Sequence, residues 1–379
     1  MSILFYDDSP TFGGHEVMTL LGVEALLTRH PSPVHFLASS ANTKLCDQLT
    51  TLARSHTHLH IHTLDHQSSK FEAIRNQLFP ARKNALAKIF QKLSPSLVVA
   101  VQGNIEHSSL SLHAARHAGI SSTSYIPVPH SNAEMGAKLG KFRDIFCSHL
   151  FHQADSFITI TDEMAHLLKL RGASVPIQIV YNGVDTTRFH PGPQDLARAA
   201  LELPPTKTII GIIGRIEFRQ KQQHLLVQAI FSNPKLHHAC HLVFAGDGPD
   251  AAALHTLIQQ HGISATILPW SDPVMIYQAL DALVIPSRYE GLPLVMLEAL
   301  ASNTAVLASD RDGMKDVLPP AWRFLPNDPK ALANTLSHFI DQGCPSPAAT
   351  LTARVRNTMS LSSFGESFAS TLLKLARLH

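Results

Sequence analysis

Ile285-Pro286-Ser287-Arg288-Tyr289-Glu290-Gly291-Leu292-Pro293-Leu294-Val295-Met296-Leu297-Glu298-Ala299-Leu300 completes the apolar run Asp281-Ala282-Leu283-Val284 and then leaves it. A short, uninterrupted apolar run bounded by turn residues reads as a buried strand. Pro286 and Ser287 end that strand, Gly291 permits a tight turn, and Pro293 suits the first position of a helix, where its missing N–H is no loss. Leu294, Val295, Leu297, Ala299 and Leu300 carry the helix onward. A helix that starts just past a strand presents unpaired backbone N–H groups and a partial positive charge, a favourable place for phosphate. Glu290 precedes the helix, and Glu298 lies about 7–8 Å along the axis from Pro293. Carboxylates that far apart suit the two ends of one long ligand with a diphosphate between them. Taken alone, they read equally well as two solvated glutamates on a strand–turn–helix.

The same alternation fills the chain on both sides. Strands are expected at 3–6, 34–38, 59–62, 97–101, 123–128, 156–160 and 177–180, separated by helical stretches that include 71–93, interrupted at Pro80, and 142–154. The series restarts with strands at 206–213, 240–245, 265–268, 282–285 and 305–308, and ends on helices at 330–341 and 364–378. Such alternation signals parallel α/β architecture. Residues 182–205, rich in Pro, Gly and Asp, read as an interdomain linker. The fold expected is therefore α/β, with two Rossmann-like domains facing a central cleft, where ligands bind beyond the carboxyl ends of the strands.

Composition narrows the function. The chain has 379 residues, 45% of them hydrophobic and 16% charged, with a net charge of +2. That charge implies no field for nucleic acid. Cys46, Cys147, Cys240 and Cys344 are scattered with no C-x-x-C spacing, which argues against a disulfide framework or a zinc ribbon and fits a reducing compartment. No secretory leader is read at the start and no run approaches the length of a membrane span, so a cytoplasmic location is expected.

Several further stretches are candidate sites. Gly211-Ile212-Ile213-Gly214-Arg215-Ile216-Glu217-Phe218-Arg219-Gln220-Lys221 ends a strand and puts two cations beyond it. Arg215 by its fork and Lys221 as a point charge can neutralise a diphosphate, although a basic surface loop has the same composition. Gly13-Gly14 at the first strand–helix junction would let backbone N–H groups approach a phosphate; a plain turn is the equal alternative. His130 follows a strand, where it can hydrogen-bond a transferred group. Gly246-Asp247-Gly248-Pro249 reads first as a structural turn. His56, His58, His60 and His62 alternate and so share one face of a strand, which is better read as the outer face of an edge than as a metal ribbon. Asp310-Arg311-Asp312 has D-x-D spacing but reads as a turn. The helix carrying Arg82, Lys83, Lys88 and Lys92 beside Leu86, Ile89, Phe90 and Leu93 admits peripheral contact with anionic membrane; a solvated face is the simpler reading.

In this order the set resembles the retaining glycosyltransferases of the GT-B fold, family 4 (glycosyl transferases group 1), over nearly the whole chain. Gly13-Gly14 fits the glycine loop, Asn182-Gly183-Val184-Asp185 the segment before the linker, Gly214-Arg215 with Lys221 the phosphate loop, and Gly246 to Pro249 the next turn. Glu290, seven residues, and Glu298 fit the signature, with Gly291 and Pro293 in place. The resemblance implies an acceptor-side domain at 1–185, with a helix at about 362–379 packing back on it, and a nucleotide-sugar domain at 186–361. It gives Glu290 the sugar hydroxyls, Glu298 the ribose, and Arg215 and Lys221 the diphosphate. Backbone N–H groups of Gly14, Leu294 and Val295 assist. His130 falls beside the anomeric centre and Pro269, Trp270 and Ser271 near the base. Gln222 and Asp312-Gly313 depart from the usual pattern, which has glycine after the lysine and a glycine pair at 312–313.

The implied reaction moves a hexose-type sugar from a UDP-, GDP- or ADP-sugar to a hydroxyl of a glycan, lipid or other acceptor, with retained configuration. No metal and no cofactor beyond the donor substrate is expected. A sugar-nucleotide-binding partner subunit without turnover and a nucleotide-sugar epimerase share the fold and stay open at this point.

Overall fold

The computed structural model describes residues 2–377. It forms two compact units, one built from the chain up to Gly183 together with residues from Leu361 onward, the other Val184–Ser360. The final residues of the helix expected to about 379, Leu378 and His379, lie outside the described residues.

The first unit is a fully parallel sheet of seven strands: β1 (Ile3–Asp7), β2 (Val34–Ser39), β3 (Leu59–Leu64), β4 (Leu97–Val101), β5 (Ser122–Tyr125), β6 (Ser156–Thr159) and β7 (Ile177–Ile179). Their spatial order is β3-β2-β1-β4-β5-β6-β7. β1 and β4 are buried along their whole length, as expected for central strands covered by helices on both faces. β3 is the edge, where His60 is exposed and His62 half-buried. His62 Nε2 stands 3.2 Å from His35 Nδ1, while His58 turns to the Leu27 carbonyl at 3.1 Å. No three of these imidazoles converge on one point among the described residues.

Local chemistry accounts for the departures from expectation. β5 stops at Tyr125 because Pro127 and Pro129 cannot donate to a ladder. Pro80 splits the long helical stretch into Glu72–Leu78 and Pro80–Leu93. The helix expected at 142–154 is Gly140–Cys147 followed by a 3₁₀ turn, Ser148–His152. The Pro- and Gly-rich stretch after Asn182 contains a helix, Gln194–Ala200. The helix Leu361–Arg377 lies against Gly14–Arg29, and the approach is close: a Cβ on Gly22 would stand 2.4 Å from the Phe368 ring. Phe368 also meets Phe5 and Tyr125, at centroid distances of 6.5 and 5.3 Å.

The second unit repeats the plan with β8 (Thr208–Ile213), β9 (Cys240–Ala245), β10 (Ala265–Leu268), β11 (Ala282–Ile285), β12 (Ala305–Ser309) and β13 (Arg323–Phe324). Their order, β10-β9-β8-β11-β12-β13, reproduces the first six positions of the other sheet. In each sheet the strand order reverses beside the first strand, between β1 and β4 and between β8 and β11. The crevice beyond the carboxyl ends at such a point is where open α/β sheets take ligands. Among the described residues no helix is long and apolar enough to cross a membrane.

Burial pushes His107 and His113 down to about 4, with the charges of His15 and His149 adding to it. Unfolded, each titrates near 6.5, so between those values the unfolded chain holds more protons than the folded one. Stability then rises with pH across that window. The denaturant midpoint is expected to climb between pH ~4 and ~6.5, and His113→Asn to flatten part of that climb. An unchanged slope in the variant contradicts the assignment.

Candidate functional site

In the second unit the loops after β8 and β11 flank the switch point and are stitched together. The Arg288 N–H donates to the Gln220 carbonyl at 2.7 Å, and Gln220 Nε2 to the Tyr289 carbonyl at 3.3 Å. This brings Lys221 Nζ to 2.5 Å from Glu290 Oε1. The Glu290 side chain is 9% exposed and that of Lys221 26%, so the carboxylate is inside and the ammonium reaches solvent. An ammonium has three donors, which leaves Lys221 able to hold an anion as well as Glu290.

Sequence reading did not find the group that fixes Glu290. The Glu290 N–H donates to Asp312 Oδ2 at 2.8 Å, and Arg311 Nε donates to the same oxygen at 2.9 Å. Beside it the Gly313 N–H donates to the Gly291 carbonyl at 3.0 Å. The Asp310-Arg311-Asp312 stretch therefore does enter a helix, Asp312–Val317, and its second aspartate works as a brace rather than a metal ligand. Asp312 adopts φ +53° and Gln222 φ +51°. These are the two positions where the sequence departs from the usual glycines, and both demand the left-handed conformation glycine adopts most easily. Asp312→Ala leaves the buried Glu290 N–H unpaired, a cost of about 1–3 kcal/mol. The expected result is a roughly tenfold fall in kcat/KM, with Asp312→Asn recovering most of it because an amide oxygen still accepts. Equal losses in both variants would point away from the brace.

The helix Leu294–Ala301 begins one residue later than expected, with Pro293 as its N-cap. The N–H groups of Leu294 and Val295 have no backbone acceptor among the described residues. Glu298 lies on this helix with Oε2 accepting from the Tyr277 hydroxyl at 2.6 Å. Burial raises its pKa, opposed by that hydrogen bond.

Arg215 is placed on the same loop but not at Glu290. Its guanidinium is 61% exposed and stands 2.5 Å from Glu217 Oε2. The loop itself is fixed by the next turn: Gly214 N–H donates to the Ala245 carbonyl at 2.9 Å and Ile216 N–H to the Asp247 carbonyl at 2.9 Å. Gly246, at φ +140°, would place a Cβ 2.2 Å from the Gly214 carbonyl oxygen, and a Cβ on Gly248 would lie 2.2 Å from that of Ile216. Two stretches of backbone lie directly on one another here. Trp270, beyond β10, is 71% exposed.

In the first unit Gly13 precedes the helix Gly14–Arg29, and its N–H donates to Glu16 Oε2 at 2.7 Å. A Cβ on Gly14 would meet nothing within 4 Å, so no neighbour inside the unit requires glycine there. His130 follows β5 and is buried, 1% exposed.

Two family models match the chain, Glycosyltransferase Family 4 over residues 12–188 and Glycosyl transferases group 1 over residues 193–356. Among curated proteins, a D-inositol 3-phosphate glycosyltransferase from Nocardia farcinica is 35% identical over 189 residues, 45% of this chain and 41% of that protein. One of the same name from Mycobacterium tuberculosis is 33% identical over 175 residues, 43% and 35% of the two chains. The chain thus matches about two-fifths of the length of these relatives. Among solved structures, Anabaena Alr3699/HepE in complex with UDP superposes with a TM-score of 0.77 at 18% identity, covering 99% of this chain and 100% of that one. The lipopolysaccharide outer core galactosyltransferase WaaB gives 0.75 at 17% identity, covering 99% of each. At such identities the likeness shows the fold, which is GT-B.

Proposed function

The chain belongs to the family 4 glycosyltransferases of GT-B fold, and from that premise we propose that it transfers a sugar from a nucleoside-diphosphate sugar to an acceptor hydroxyl with retained anomeric configuration. The Lys221–Glu290 pair carries this reading: one ammonium with donors to spare, 2.5 Å from one nearly buried carboxylate, beside a helix start with unpaired N–H groups. On it, Lys221, Arg215 and the N–H groups of Leu294 and Val295 stabilise the negative charge that grows on the departing diphosphate. Glu290 accepts hydrogen bonds from sugar hydroxyls. Engaged by Lys221, it is a weak nucleophile, which supports same-face attack with a donor phosphate oxygen taking the acceptor's proton. Glu298, through the oxygen that Tyr277 leaves open, takes the ribose, and Trp270 offers a face to the base. Of the first unit's expected residues, the Gly13 N–H already donates to Glu16, while the resemblance keeps Gly14 for phosphate and His130 for the transferred group. The diphosphate chemistry asks for no metal, because cations and helix N–H groups supply the positive charge.

The Anabaena protein was solved with UDP and with UDP-glucose, which supports starting with UDP-hexoses. The name of the curated relatives supports a phosphorylated polyol among the acceptors tried, beside glycans and glycolipids of the cell surface. The test is a thermal-shift screen of UDP-, GDP- and ADP-sugars, followed by product analysis with the donor that binds. A ligand at 100 times its Kd adds about 2.7 kcal/mol to the folded state. A donor that stabilises the protein and yields a retained glycoside supports the proposal. Donor conversion without acceptor, or binding with no turnover on any acceptor, overturns it.

A further inference from the structure

We propose that Asp7, His15 and Glu16 form a site in the first unit for one divalent transition-metal ion of the zinc type. The three residues sit where this sheet's strand order reverses: Asp7 ends β1, and His15 and Glu16 open the helix that follows. One ligand atom from each lies within 4.8 Å of the other two. Asp7 and Glu16 are both fully buried.

Each carboxylate has one oxygen committed and one to spare. Asp7 Oδ1 accepts the Ser9 N–H at 2.9 Å and Glu16 Oε2 the Gly13 N–H at 2.7 Å. Asp7 Oδ2, Glu16 Oε1 and His15 Nε2 are buried with no hydrogen-bond partner among the described residues. Three orphaned buried polar atoms on three neighbouring residues are far from the usual pattern, in which buried polar groups are paired. Their surroundings make room for the imidazole: a Cβ on Gly103 would stand 2.7 Å from His15 Cε1. The His15 side chain is 16% exposed, which gives an ion a way in.

The electrostatics agree. His15 Nδ1 stands 3.0 Å from Glu16 Oε2, so one imidazole faces two buried carboxylates, and a dication on the three orphaned atoms would balance them. One imidazole and two carboxylates suit zinc or its neighbours in the first transition row better than magnesium or calcium, which prefer oxygen alone. Three protein ligands leave the ion an open position. This metal would be held by first-unit residues alone, and the proposal does not depend on the roles given to Lys221 and Glu290.

The experiment uses the full chain, stripped with chelator and titrated with Zn²⁺ by calorimetry and with Co²⁺ by absorption. The 24 histidines make a surface control necessary. One equivalent is expected in the wild type and in a His35→Ala/His62→Ala variant. That equivalent should be lost in His15→Ala and in Asp7→Asn, both checked for folding by circular dichroism. Binding should release protons, since ligands must be deprotonated, and calorimetry in two buffers of different ionisation enthalpy reads this. No stoichiometric ion in the wild type overturns the proposal, as does an equivalent that survives His15→Ala or disappears with His35 and His62. Because the readout is metal bound, the outcome is independent of whether sugar transfer is found.

Discussion

Lys221→Ala lowers kcat by about 100-fold or more, the scale of losing one preorganised electrostatic donor at a reacting group. On the proposed reading the loss falls chiefly on the chemical step, where negative charge grows on the diphosphate. Lys221 reaches Glu290 at 2.5 Å from a loop tied through Gln220 to Arg288 and Tyr289, and with 26% of its side chain exposed it can meet an anion without leaving its partner. Glu290→Ala produces a loss of the same order by the other route, removing the acceptor for sugar hydroxyls and releasing the ammonium from its fixed position. Stability must be separated from catalysis in both. Taking away Lys221 leaves a carboxylate that is 9% exposed without its counter-ion, at a cost of about 1–3 kcal/mol for an unmet buried group. Assays run well below the unfolding transition avoid that term. Lys221→Arg is expected to recover little, because a planar fork does not replace a point charge on the same stem length. Near-wild-type kcat in both alanine variants would reject the roles given to this pair.

The largest effect on stability is expected at Gly246. A Cβ there would lie 2.2 Å from the Gly214 carbonyl oxygen, and the residue sits at φ +140°. Neither problem can be solved by rotating a side chain, since the obstacle is backbone held by the Gly214 N–H to Ala245 bond. Strained backbone costs about 1–3 kcal/mol and a forced steric shift about 1–3 more. Gly246→Ala should therefore lose roughly 2–6 kcal/mol, a Tm drop of about 2–4 °C for each. Donor affinity should fall with it, because the displaced segment carries Arg215. Gly262→Ala is the matched control: φ is +59° but nothing lies within 4 Å of its Cβ position, so only the conformational cost applies. If the two variants melt together, backbone contact is not what selects glycine at 246.

Apolar runs such as Leu97–Val101 and Ala282–Ile285 announced buried parallel strands, and Gly291 with Pro293 announced the turn and helix start beside Glu290. What escaped were contacts between positions far apart. Asp312 reaches Glu290 across 22 residues, and no local pattern distinguishes it from a turn aspartate; its only signal was standing where glycine is usual. Gly246 to Pro249 read as a structural turn and is one, but its partner, Gly214 to Ile216, is not visible from either stretch alone. The first strand was expected to end at Tyr6, whereas Asp7 closes β1 with both neighbours, Tyr6 and Asp8, buried. The helix Gln194–Ala200 was hidden in a stretch whose prolines and glycines dominate its composition. It is short, and it holds its place through tertiary contacts such as Arg198 to Asp281 at 2.7 Å rather than through amphipathic periodicity.

The Phe368 ring that occupies the hollow over Gly22 has a consequence for biosynthesis. A ribosome finishes all of Val184–Ser360, a contiguous stretch, before it makes the segment that seals the opening half of the polypeptide. Until then Phe5 and Tyr125 lack a capping aromatic, and a greasy strip along Gly14–Arg29 is open to chaperones or to self-association. The middle of this molecule can thus close before its beginning has all of its own parts.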